Sequence, residues 1–90
     1  MAWRIELAET AKKQLATLDR LVQERIRKFL IERIAPALDP REFGDPLKSN
    51  LAGLWKYRVG DFRIVAEIRE EELLVLVVRV GHRSKVYGSH

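Results

Sequence analysis

The chain has 90 residues, 47% of them apolar, a formal net charge of +4 and no cysteine. This length suits a single domain over 1–90 with a real but marginal core, and it is short for two. Disulfides and thiolate metal sites are excluded, which fits a reducing, cytoplasmic setting. The opening "MAWRIELAETAKK" lacks the uninterrupted apolar core of a signal peptide. The longest apolar run, "LLVLVV" (73–78), has the length of a strand, well short of the ~18 residues of a membrane span. The basic excess is compatible with nucleic acid or an acidic protein partner, and equally with solubility alone. Placement of the charges has to decide.

In "WRIELA" (3–8) apolar and polar residues alternate, so Trp3, Ile5 and Leu7 share a face of an edge-type first strand. A first helix is predicted over 9–18, with Ala11, Leu15 and Leu18 at helical spacing. Asp19 is the expected N-cap of a second helix, "RLVQERIRKFLIERIA", whose stripe is Val22, Ile26, Phe29, Leu30 and Ile34. Its charges read as a solvated face with i,i+4 pairs such as Glu24 with Lys28. Pro36 disfavours helix at Ala35 and ends it. Residues 36–53 hold all three prolines and two of the five glycines, and predict a long loop with a helical turn at most. Three strands are expected at about 54–59, 62–69 and 72–80, the last two joined through "EEE" (70–72). The tail 81–90 is short and polar, with one aromatic at Tyr87.

The resulting order is β-α-α-β-β-β, an α+β fold. Two N-terminal helices must bury their stripe on one face of a small, mainly antiparallel sheet. Trp55, Tyr57, Val59, Phe62, Ile64, Ala66 and Ile68 form an apolar face assigned to the helices. The other face carries Leu54, Lys56, Arg58, Arg63, Val65 and Glu67. A turn at Gly60-Asp61 sets Arg58 directly across from Arg63, with Lys56 on the same side. Like charges directly opposite each other are destabilising, so an anion is the natural occupant of this face. The ordinary alternatives are solvent-facing residues, or Arg63 paired with Glu67. Arg79 is taken as a structural or surface residue outside the site.

RNA is one anion this face could meet. Arginine holds phosphate bidentately, and an aromatic such as Tyr87 can stack on an unpaired base. Metal-free RNA cleavage needs a group to take the 2′-hydroxyl proton, cations for the added charge on phosphorus, and a donor for the leaving 5′-oxygen. The candidates for these roles are Lys56, Arg58, Arg63, His82, Arg83 and Tyr87. The sequence has no Asp/Glu/His cluster at metal-ligand spacing, so neither a metal nor another cofactor is expected.

"LWKYRVGDFRIVAEI" followed by "LLVLVVRVGHRSKVY", in this order and spacing, resembles the RelE branch of the RelE/ParE toxin superfamily. The likeness runs over nearly the whole chain. It implies a type II toxin–antitoxin toxin that acts as a ribosome-dependent, metal-independent endoribonuclease on A-site mRNA. It also implies a cognate RelB-like antitoxin that wraps and blocks the toxin, and contact with DNA only through that antitoxin. By position, Lys56 and Arg58 match the family's paired basic residues and Arg63 its phosphate-binding arginine. Arg83 matches the arginine implicated in transition-state or leaving-group stabilisation, and Tyr87 the C-terminal tyrosine of stacking or proton transfer. Arg58 stands where well-known members have lysine, and arginine is a poor general acid or base. The neighbouring His82 is the candidate to replace it in proton transfer. Two other functions compete: a ParE-like toxin that inhibits DNA gyrase without cutting, and a degenerate toxin that only binds its antitoxin. The basic set with the terminal Arg and Tyr favours cleavage.

Overall fold

A computed structural model describes residues 2–47 and 53–82. The elements run β1 (Arg4–Leu7), α1 (Glu9–Ala16), α2 (Arg20–Phe29), a short 3-10 helix (Pro40–Phe43), β2 (Asp45–Pro46), β3 (Leu54–Val59), β4 (Phe62–Arg69) and β5 (Leu74–His82). The strands form one sheet in the order β1-β5-β4-β3-β2. β1 lies parallel to β5 at one edge, and every other pairing is antiparallel. This is the expected α+β architecture with one addition, the two-residue β2, which arises inside the long loop.

The helices cover one face. Ala11 and Leu15 from α1, and Ile26, Leu30 and Ile34 from the second helical segment, are buried with Trp3, Tyr57, Ile64, Ala66, Val75, Val77 and Val80. The apolar stripes therefore do what their spacing demands. Trp55 is the exception: it sits opposite Pro46 near the sheet edge and is half-buried.

The helix ends depart from expectation in ways that local chemistry explains. α1 stops at Ala16 because the Thr17 hydroxyl donates to the Gln14 carbonyl at 2.7 Å, drawing the chain out of the helix. Asp19 occupies the N-cap position of α2, but its side chain caps nothing. Gln23 closes that corner instead, its amide donating to the Leu18 carbonyl at 2.8 Å. Glu24 lies 3.9 Å from Arg20, one turn earlier than the Lys28 pairing expected. Beyond Phe29 the helix widens to a π-turn over Leu30–Ile34, in which the Ala35 amide reaches the Leu30 carbonyl at 2.8 Å. Pro36 has no amide to offer the Glu32 carbonyl, so the ladder cannot continue in α form. The Ala35 carbonyl then accepts from the Trp3 amide at 2.7 Å, tying the helix end to the start of β1.

The long loop is fixed by three contacts. The buried Tyr57 hydroxyl donates to the Pro40 carbonyl at 2.9 Å. Burial pushes the Tyr57 pKa up to about 12, with the Asp39 charge adding to the effect, so the phenol stays protonated and donating at neutral pH. Arg41 joins Asp39 (3.0 Å) to Glu70 (3.2 Å), clamping the loop to the turn between β4 and β5. In that turn Glu70–Glu72 form a single 3-10 turn and Leu73 takes a left-handed conformation, φ 50°, while packing on the core.

Gly44 is the point of closest approach. A Cβ placed there would lie 2.8 Å from the Lys56 carbonyl oxygen and 2.9 Å from the Tyr57 ring. The Gly44 backbone, φ −133°, is open to any residue, so only crowding selects glycine. Gly44→Ala is expected to lower stability by about 1–3 kcal/mol, the range for overpacking. Urea unfolding checks this, and an unchanged midpoint would show that the loop yields without cost.

Candidate nucleic-acid interface

The β3–β4 hairpin turns at Gly60 and Asp61. Gly60 has φ +60° and Asp61 does not enter the positive region, the pattern of a tight turn with glycine first. The turn fixes the register: Val59 faces Phe62, Arg58 faces Arg63, and Lys56 faces Val65. Arg58 is exposed and Arg63 half-buried. Arg63 does not pair with Glu67. Its guanidinium donates to the carbonyls of Gly60 (3.2 Å) and Phe62 (3.1 Å), while Glu67 is taken by Arg69 at 3.2 Å. Two arginine residues thus stand directly across the ladder, and among the described residues neither has a carboxylate partner.

β5 completes the face through an irregularity that periodicity alone does not reveal. Val65 pairs with Arg79, but the next residue, Ala66, pairs with Val77, so Val78 is an extra residue in β5. The bulge inverts the alternation. Without it Arg79 would point to the helices and Val80 away from them. With it Val80 is buried at 2% exposure, and Arg79 stands on the arginine side. Two rows cross the sheet on that side: Lys56, Val65, Arg79 and Arg58, Arg63, Gly81. Arg79 is a surface residue, as expected, and it lies on the same side of the sheet as the arginine pair. The bulge is held from α1, whose Gln14 side-chain Oε1 accepts from the Val80 amide at 2.8 Å.

The same register sets His82 apart. It pairs with Phe62, whose side chain is on the helix side, and their rings meet edge-on with centroids 5.7 Å apart. Gly81, not His82, lies across from Arg63. The structure thus brings together Lys56, Arg58 and Arg63, adds Arg79, and leaves His82 on the other side of the sheet end. Arg83 and Tyr87 lie outside the described residues. Asp45, on β2, is the register partner of Lys56. The two-residue strand that carries it has no sequence signal of its own. Among the described residues, no group of His, Asp and Glu is placed to hold a metal ion, and no helix is long and apolar enough to cross a membrane.

A compact α+β domain with a helix-backed sheet and a cationic opposite face matches one family over nearly its full length. Residues 5–87 fit the model of the ParE toxin of type II toxin–antitoxin system, parDE. The chain belongs to this family, and it stands on the RelE branch of the RelE/ParE superfamily. It is 28% identical over 87 residues to Toxin RelG of Mycobacterium tuberculosis, covering 97% of this chain and 98% of that one. Among solved structures it resembles the toxin–antitoxin complex RelBE2 from the same organism, with a TM-score of 0.85 and 26% identity over 94% of this chain and 95% of that one. It shares its fold with isolated E. coli RelE toxin, with a TM-score of 0.71 and 23% identity over 99% of this chain and 89% of that one.

The opposed arginines should cost the free protein stability. Arg58→Gln is expected to raise stability at low salt by about 0.2–1 kcal/mol, the size of one cross-strand pair. The gain should vanish near 1 M salt, where screening acts within about 3 Å. Urea unfolding across salt concentrations checks this. A destabilised variant at low salt would mean that the pair is not repulsive.

Proposed function

We propose that this toxin is a ribosome-dependent, metal-independent endoribonuclease that cuts mRNA in the ribosomal A site and is neutralised by a cognate antitoxin. The observation that carries the reading is the Arg58–Arg63 opposition, flanked by Lys56 and Arg79 on one sheet face. Such a face is unfavourable when empty and suited to a phosphodiester, on which negative charge builds as the 2′-oxygen attacks phosphorus. Bond formation between the 2′-oxygen and phosphorus, with departure of the 5′-oxygen, leaves a 2′,3′-cyclic phosphate and a 5′-hydroxyl. The protein's part is to hold the scissile phosphate, stabilise that charge and move two protons.

Arg58 and Arg63 are assigned to the phosphate oxygens. Lys56 is the candidate for proton transfer on this face, with Asp45 across from it. By resemblance Arg83 would serve the leaving group and Tyr87 the base or a proton. His82, directed to the Phe62 side, takes no role in this scheme. The family of toxins with antitoxin partners, and the antitoxin-bound state of the RelBE2 relative, support an antitoxin as protein partner. A basic domain of this size suits an acidic, amphipathic segment that orders on binding.

A second reading, gyrase inhibition without cleavage, is favoured by one finding, the match to the ParE family model. Mapping of mRNA ends on programmed ribosomes with an empty A site separates the two. Codon-phased cuts are expected with ribosomes and not with naked mRNA. Arg63→Ala and Arg83→Ala should each lower the rate by about 10²-fold or more, the usual cost of removing a charge-stabilising donor. Intact mRNA beside folded, antitoxin-binding toxin, together with inhibited supercoiling by gyrase, would replace this reading with the second.

A further inference from the structure

A groove of about 460 Å³ runs between α2 and the end of β3. Four cations line it, Arg25 and Lys28 from α2, Arg33 from the π-turn that follows it and Arg58 from β3, against a single carboxylate, Glu32. Phe29 and Val59 are its apolar lining residues. Positions 25, 28, 29, 32 and 33 fall on one face of a helix, so the cations are aligned along the groove. Among the described residues none of the four is ion-paired.

The groove is continuous with the arginine face. β2 pairs with Trp55 and Lys56, and among the described residues no further strand covers β3 at Arg58 and Val59. Arg58 both lines the groove and faces Arg63. The Arg25 guanidinium comes within 3.3 Å of the point where a Gly60 Cβ would stand, and Arg63 donates to the carbonyl of that same Gly60. Arg25 and Arg63 thus flank one turn residue from its two sides.

We propose that this groove is a second phosphate track, which carries an RNA strand from the arginine face around the uncovered edge of β3 and along α2. The inference rests on the RNA reading given above and extends its footprint. A continuous line of cations fits the evenly charged backbone of a nucleic acid strand. An amphipathic peptide helix would need apolar pockets at successive turns, and here the apolar lining is Phe29 and Val59 against four cations. Lysine and arginine on a helix are usually a solvated face. The convergence of a second element on the same turn, with one carboxylate against four cations, sets this face apart.

The test uses the full-length toxin and a fluorescent 12-nucleotide 2′-O-methyl oligouridylate, which the toxin cannot cut. Affinity is read by anisotropy across salt concentrations for the wild type, Arg25→Gln/Lys28→Gln, Arg33→Gln, Arg63→Gln and the charge-matched control Lys12→Gln/Lys13→Gln. Circular dichroism confirms folding, and the single Arg33→Gln substitution tests the groove independently of the double variant. The double variant should bind about tenfold more weakly near 0.1 M salt, with a log–log salt slope shallower by about 1.4, or about 0.7 for each lost contact to a single strand. The control should keep the wild-type slope.

Groove variants that bind like the control overturn the proposal. If Arg63→Gln is weakened in that same experiment, the arginine face stands and the groove alone falls. Absence of binding by the wild type would remove both. Groove variants that keep RNA affinity and lose affinity for the cognate antitoxin would assign the groove to the protein partner and overturn the RNA track.

Discussion

The functional face depends on a two-residue turn. Gly60 and Asp61 leave no freedom in the pairing of β3 with β4, and the pairing that results opposes Arg58 to Arg63. A slip of one residue in either strand would turn that strand's arginine toward the helix-covered core and separate the pair. The buried set of Tyr57, Ile64 and Ala66 forbids that slip. Core packing on one side of the sheet therefore enforces electrostatic crowding on the other. The proposed phosphate between the two groups would recover the stability the sheet gives up through this pair.

The bulge at Val78 is the second device of the same kind. It lets one strand serve two different patterns. Residues up to Val77 alternate in phase with β1, whose Ile5 and Leu7 pair with Val75 and Val77. Beyond the bulge the phase inverts, which buries Val80 and brings Arg79 to the cationic side. The extra residue leaves an irregular edge, and α1 answers it through the Gln14 contact to the Val80 amide. A polar residue on an otherwise amphipathic helix thus supports the geometry of the opposite face of the sheet.

Most of the architecture was legible in the sequence because it rests on periodicity. Alternation in 54–68 gave the hairpin and its register, and the helical stripes gave the covering layer. What stayed hidden depended on contacts remote in sequence. The two-residue β2 has no pattern of its own and forms where Gly44 lets the loop approach the Lys56 carbonyl. The π-turn follows from Pro36, but its tie to Trp3 is tertiary. Within the candidate site, Lys56, Arg58 and Arg63 follow from strand alternation. Arg79, read as a structural or surface residue, is exposed, and its place on the arginine side rests on a bulge with no sequence signal; His82 was drawn in by its chemistry and its neighbour, and the register pairs it with Phe62. Arg25 carries no local signal: only the packing of α2 against the hairpin end places it beside Gly60.

The central claim is that Arg58 and Arg63 bind one phosphate together. Its most direct test is to follow the guanidinium NMR signals of both arginines, assigned by substitution, while titrating an uncleavable 2′-O-methyl RNA trinucleotide. The account predicts that both signals shift in parallel, with one common dissociation constant that weakens as salt rises. Movement of neither signal, or of one without the other, would contradict it.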